Sequence, residues 1–171
     1  MNEFLAKGER TSAMKIGNSS QAPRILHAED EPMICRTVAR VLERAGYTVV
    51  TVNDGQKAWE ALKTNPFDLL ITDNEMPYRR GGELVLKVRQ HGLNLPVIIT
   101  SSPFEFFTIL GKGCLHTAKM LPKPFSSQEL IEAVEPCIHA QRIHGRTRCI
   151  ATETEAKPAP PSRELILPRL H

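Results

Sequence analysis

The chain has 171 residues, 41% of them apolar and 24% charged, with a formal charge of +3; this fits one ordinary domain with a full core plus tails, in the soluble globular class rather than among disordered or membrane proteins. Its Lys and Arg are scattered, without a basic block or an Arg-aromatic alternation, so composition makes no case for direct DNA binding. No run approaches the roughly 20 apolar residues that span a bilayer, MNEFLAKGERTSAMKIG lacks a signal peptide's apolar core, and Cys35, Cys114, Cys137 and Cys149 form neither a CxxC pair nor a disulfide framework; a cytoplasmic protein with reduced thiols and no membrane partner is expected.

Residues 1–22 are polar and aperiodic and read as a flexible tail. RILHA is a short apolar strand, after which PMICRTVARVLERAG places Ile34, Val38, Val41, Leu42 and Ala45 on one helical stripe and stops at Gly46. YTVVTV is a β-branched strand. GQKAWEALKT turns Ala58, Ala61 and Leu62 inward and leaves Trp59 off the stripe, partly exposed. FDLLIT is the third strand, GGELVLKVRQHG the third helix with Leu84, Val85 and Val88 inward, and LPVIIT the fourth strand. SPFEFFTILGKG reads as a short fourth helix whose Phe104, Phe106 and Phe107 suit packing or a contact face, and HTAKML as the fifth strand. SSQELIEAVEPCI is a final amphipathic helix, opened by a capping box of Ser126 and Glu129. The expected domain covers 23–140, and the extension 141–171, rich in Pro and charge, is expected to be mostly disordered; its ELILPRL is apolar enough to dock on something, although a short disordered end is the plainer reading.

Strands alternating with helices imply a doubly wound α/β fold, a five-stranded parallel sheet covered on both faces, with ligands outside the carboxyl ends of the strands. Strand one ends in Glu29-Asp30-Glu31, strand three in Asp73, strand four in Thr100-Ser101-Ser102 and strand five in Lys123 before Pro124. Carboxylates gathered on one edge repel unless a cation sits among them, and hard oxygen donors with room for water suit Mg²⁺. Asp73 is then a nucleophile toward phosphorus, while a Ser or Thr hydroxyl, Lys123 and backbone N–H groups after Asp73 neutralise the phosphoryl oxygens. Each residue alone has a plainer role. Asp30 or Glu31 ahead of Pro32 caps the first helix, Asp73 is a turn residue, Ser101 and Ser102 cap a short helix, and Lys123 sits on the surface. Their coincidence on one edge is what argues for a site.

HAEDEP after the first strand, DNEMP after the third, PVIITSS in the fourth, LPKPF after the fifth, and the PYRRGGEL loop resemble the receiver domain of two-component response regulators, over about residues 23–140. The resemblance implies a flavodoxin-like sheet of order 2-1-3-4-5, for which receivers serve as a standard illustration. It makes Asp73 the acceptor of a phosphoryl group from a histidine kinase or phosphotransfer protein, and Glu29 and Asp30 the acidic pair that holds Mg²⁺ directly or through water. Asn74 would lend the metal its backbone carbonyl. Ser101, rather than Thr100, would be the switch hydroxyl, and Lys123 would bind a phosphoryl oxygen, its bond to Pro124 being cis. Three residues depart from the family pattern: Glu29 where Asp is commoner, Met120 where an aromatic ring usually swings with the hydroxyl, and Pro122 before Lys123. The resemblance implies a stand-alone receiver, not an enzyme beyond its own phosphorylation and dephosphorylation, that switches binding to a downstream protein in a phosphorelay. Nothing after residue 140 is long enough for a helix-turn-helix output domain, so no direct DNA binding is expected. Two alternatives stay open: a receiver-like scaffold that no longer accepts phosphate, which Met120 allows, and a haloacid-dehalogenase-type phosphatase, which expects Asp where Glu75 stands and leaves LPKPF unexplained.

Overall fold

The computed structural model describes residues 21–77, 80–103 and 118–144, the last three by backbone alone. The expected N-terminal tail through residue 20, the short fourth helix with its phenylalanines, the start of HTAKML, Cys114, Cys149 and ELILPRL lie outside the described residues. Within them the chain runs β1 (Arg24–Ala28), α1 (Pro32–Arg44), β2 (Thr48–Val52), α2 (Gly55–Thr64), β3 (Leu69–Asp73), α3 (Gly81–Gln90), β4 (Val97–Ser101), β5 (Ala118–Pro122) and α4 (Ser127–His144). The five strands are parallel and lie in the order β2-β1-β3-β4-β5.

That order puts β3 and β4 inside the sheet, and all the residues of both are buried, as their uninterrupted apolar runs require. Alternate side chains go to opposite faces. Leu26, Leu70, Val97 and Ile99 pack with Trp59, Leu62, Leu84, Val85 and Val88 of α2 and α3. Ile25, Leu69, Ile71 and Ile98 pack with Val38 and Leu42 of α1 and Leu130, Val134 and Ile138 of α4. The sheet therefore has an apolar layer on each side, and its strands all deliver their C-terminal ends to one edge.

Helix boundaries follow local chemistry. Pro32 opens α1 at a position that needs no N–H, and Gly46, at φ 90°, closes it in the left-handed region that glycine enters freely. Neither Asp30 nor Glu31 caps this helix through its side chain: Glu31 is the N-cap residue but makes no such bond. The capping box of α4 is formed, with the Ser126 N–H donating to Glu129 Oε2 at 2.7 Å and the Glu129 N–H to Ser126 Oγ at 3.2 Å. Asp54, unremarked in the sequence, caps α2 by accepting the Lys57 N–H at 2.7 Å.

Two expectations are corrected. Trp59 is buried at 4% exposure, because α2 packs beside α3 and the indole is roofed by Lys87 at 4.6 Å and by the His91 ring at 4.6 Å. Ala45 is exposed, since the helix ends at Arg44 and the chain turns before Ala45 can reach the core. The fifth strand extends through Pro122, which pairs in register with Ser101; the missing N–H of Pro122 is followed at once by the Lys123 N–H, which donates to the Ser101 carbonyl at 2.8 Å.

Candidate functional site

The carboxyl edge of the sheet gathers the side chains that the sequence singled out. Glu29 follows β1, its N–H continuing the ladder to the Val52 carbonyl at 3.1 Å, and its side chain is only 2% exposed. Asp73 ends β3 at 5% exposure, and Asp30 stands exposed at the rim. One carboxylate oxygen from each of Glu29, Asp30 and Asp73 lies within 4.8 Å of the others. Across from them Lys123 Nζ reaches Glu29 Oε2 at 3.0 Å and Asp73 Oδ1 at 3.1 Å. Glu29 Oε1 accepts the Glu31 N–H at 3.3 Å.

Three carboxylates face one ammonium, and the charges report the imbalance. Burial pushes the Glu29 carboxyl up; the hydrogen bond from Lys123 opposes this, the Asp73 charge adds to it, and the outcome is upward. Burial also raises Asp73, against the opposing Lys123 charge and the backbone N–H groups of Glu75 and Asn74, which favour its ionised form. Burial alone would lower the Lys123 ammonium, but its bonds to Glu29 and Asp73 outweigh that and hold it above its usual value. Two buried acids whose proton affinity is raised, with a third carboxylate at the rim, make a site that gains from a hard cation. The donor set, all carboxylate oxygen, fits a magnesium-class ion, with Glu29, Asp30 and Asp73 to hold it.

The remaining residues divide. Ser101 ends β4, buried, its hydroxyl donating to the Ser102 carbonyl at 2.9 Å. Thr100, its neighbour, turns to the other face and hydrogen-bonds the Thr72 carbonyl at 3.5 Å inside the sheet. Asn74 is stitched into place: its N–H donates to the Thr100 carbonyl at 2.9 Å, its carbonyl accepts the Gly81 N–H at 3.2 Å, and its Oδ1 accepts the Gly82 N–H at 3.3 Å. One lone pair of the Asn74 carbonyl is thereby taken, and metal ligation by it rests on the other. Gly81 is required here, because a Cβ would collide with the Asp73 carbonyl oxygen where α3 begins. Met120 packs against the apolar layer on the α2 and α3 side. The Lys123-Pro124 bond is cis.

Sequence reading missed His27. It sits inside β1, 1% exposed, and its Nδ1 has no hydrogen-bond partner. Burial, with the Lys123 charge second, lowers its pKa to about 4. The only signal was an imidazole among the apolar residues Ile25, Leu26 and Ala28 of β1.

A parallel sheet of order β2-β1-β3-β4-β5 with an acidic cluster and a lysine at its carboxyl edge places the chain in the flavodoxin-like class of α/β proteins. The chain matches the response regulator receiver domain over residues 25–135. It is 32% identical over 117 residues to the response regulator receiver protein CpdR of Brucella abortus, a match covering 68% of this chain and 98% of that one. It is 32% identical over 121 residues to the transcriptional regulatory protein PhoP of Bacillus subtilis, where 70% of this chain matches only 50% of the relative. Among solved structures, the receiver domain of the Francisella response regulator 1452 superposes with a TM-score of 0.62 at 31% identity, covering 70% of this chain and 98% of that one. A receiver domain from Clostridium thermocellum, at 24% identity and a TM-score of 0.65 over 72% of this chain and 99% of its own, shares the fold. The chain belongs to the response regulator receiver family of two-component systems. Receiver domains are signalling modules rather than classical enzymes, and they typically bind Mg²⁺. Among the described residues no helix is long and apolar enough to cross a membrane.

Proposed function

We propose that the protein is a cytoplasmic receiver that takes a phosphoryl group onto Asp73 from a histidine kinase or phosphotransfer protein, and thereby switches its binding to a downstream protein. The observation that carries the reading is Asp73 at the end of a buried strand, 3.1 Å from Lys123 and within 4.8 Å of two more acids. The match along 98% of CpdR supports a receiver acting as a protein in its own right.

The chemistry is one displacement. An Asp73 carboxylate oxygen attacks phosphorus, an O–P bond forms, and the N–P bond of the donor phosphohistidine breaks with its electron pair leaving on the imidazole. Glu29, Asp30 and Asp73 would hold Mg²⁺, which would supply charge neutralisation for the phosphoryl oxygens. Lys123 would supply a further positive charge beside Asp73, 3.1 Å away, and the backbone N–H groups of Glu75 and Asn74 favour the ionised, attacking carboxylate. Ser101, released from the Ser102 carbonyl, has its hydroxyl free for a phosphoryl oxygen; this exchange is the first step of the switch. Met120 fills its place without a ring, so the read-out is carried by Ser101 and the β4–β5 edge rather than by a swinging aromatic.

The test is incubation with Mg²⁺ and acetyl phosphate followed by intact-mass analysis. A labile acyl phosphate in the wild type, absent in Asp73→Asn, is expected. A wild type that takes no label from either acetyl phosphate or a histidine kinase would mark it as a scaffold; rapid turnover of phosphomonoesters would mark a phosphatase.

A further inference from the structure

We infer that His27 is a positioning residue that receives the Lys123 ammonium when a divalent cation enters the acidic pocket. The inference rests on the reading of that pocket as a metal-assisted phospho-acceptor site. Lys123 divides its donors between Glu29 Oε2 at 3.0 Å and Asp73 Oδ1 at 3.1 Å, and both acids belong to the set whose oxygens lie within 4.8 Å of one another. A cation entering that set competes with the ammonium for the same oxygens and repels it. The ammonium then needs another acceptor close by.

Among the described residues one buried side-chain nitrogen or oxygen has no partner, and it is His27 Nδ1. His27 stands two residues before Glu29 on β1, on the same face by strand alternation, and lies paired in register with Ile71. Ile25, Ile71 and Ile98 form the apolar layer on that side of the sheet, where another aliphatic residue would leave nothing unsatisfied. Lys123 already bonds Glu29, two residues along the same strand face, and the buried imidazole offers a ring nitrogen that in the neutral form accepts a hydrogen bond. His27 thus offers the lysine a second resting place that draws it off the metal ligands without removing its charge from the neighbourhood of Asp73.

Two measurements on the full chain at neutral pH test this. In ¹⁵N spectra of the histidine-labelled protein, Mg²⁺ alone moves the His27 Nδ1 resonance toward that of a hydrogen-bonded acceptor in the wild type, and fails to do so in Lys123→Met. A resonance that ignores Mg²⁺, or that moves equally in Lys123→Met, overturns the inference. By calorimetry His27→Leu weakens Mg²⁺ binding about tenfold, the equivalent of one hydrogen bond to a charged group. His27→Gln, which restores an acceptor, binds Mg²⁺ as the wild type does. Equal losses in the two variants, or none in His27→Leu, overturn it as well. The acyl-phosphate assay separates the two readings: a wild type that shows the Mg²⁺-dependent imidazole shift but accepts no phosphate refutes phospho-transfer and leaves the role of His27 standing, whereas labelling of Asp73 with an unmoved imidazole does the reverse.

Discussion

Asp68 and Asp73 bracket the same strand, and they are buried to nearly the same degree, at 6% and 5% exposure. Asp68 sits at the amino edge of the sheet, where its Oδ2 accepts the Arg24 N–H at 2.7 Å and so joins the starts of β1 and β3; the Arg24 guanidinium lies over the Phe67 ring at 5.1 Å. Asp73 sits at the carboxyl edge, crowded by two further acids and balanced by one lysine. The first carboxylate satisfies a backbone donor that would otherwise be orphaned, so folding uses it. The second is held among like charges that folding alone does not need, and that burial makes harder to ionise. Burial of an acid is thus no guide to its role; the partners are.

If this contrast is sound, changes near the two acids have different signatures. The largest effect is expected from Gly81→Ala, whose new Cβ strikes the Asp73 carbonyl oxygen. Backbone of β3 or α3 has to shift, at about 3 kcal/mol of stability, and phosphorylation of Asp73 falls with it; denaturant melts and acyl-phosphate yield check both. Asp68→Ala comes next. It leaves the Arg24 N–H unpaired, which costs about 2 kcal/mol, while the phosphorylation level of the folded fraction stays at that of the wild type. A loss of labelling in folded Asp68→Ala would erase the distinction between the two edges.

The smallest effect is one of pH. The folded pKa of His27, about 4, lies below its ordinary value of 6.5, so the unfolded chain takes up the proton first as the pH falls. Stability associated with neutral His27 is therefore complete above pH 6.5 and is lost as the pH drops from there toward 4. His27→Leu should flatten that part of the stability curve, measured by denaturation without divalent cations. Glu29 and Asp73 act with the opposite sign: their raised values mean that the fold favours the protonated acids, so their contribution is present on the acid side and is lost as pH rises through those raised values.

The strands were legible because β3 and β4 are buried on both faces and so carry unbroken apolar runs, and the edge of the sheet was legible because β1, β3, β4 and β5 all bring polar groups to the same end. Trp59 was misplaced since counting along one helix cannot see α3 arriving beside it with Lys87 and His91. The bond between Lys123 and Glu29 joins residues far apart in the chain and depends on the two strands, β3 and β4, that lie between β1 and β5, so only the assembled sheet shows that the lysine occupies two of the candidate metal ligands. His27 carried no periodic signal. Its lack of a partner is a property of its surroundings, and those exist only after α1, α4 and the Lys123 side chain are in place.

The most direct test is to compare the unfolding free energies of Asp73→Asn and Asp68→Asn with that of the wild type, in the absence of divalent cations. Removing the Asp73 charge relieves repulsion, so Asp73→Asn should be more stable than the wild type by about 1 kcal/mol, whereas Asp68→Asn, which weakens a satisfied bond, should be less stable. Addition of Mg²⁺ should stabilise the wild type and leave Asp73→Asn nearly unchanged. Loss of stability in both variants, with no difference in their response to Mg²⁺, would contradict the account, because Asp73 would then be one more acid that the fold requires.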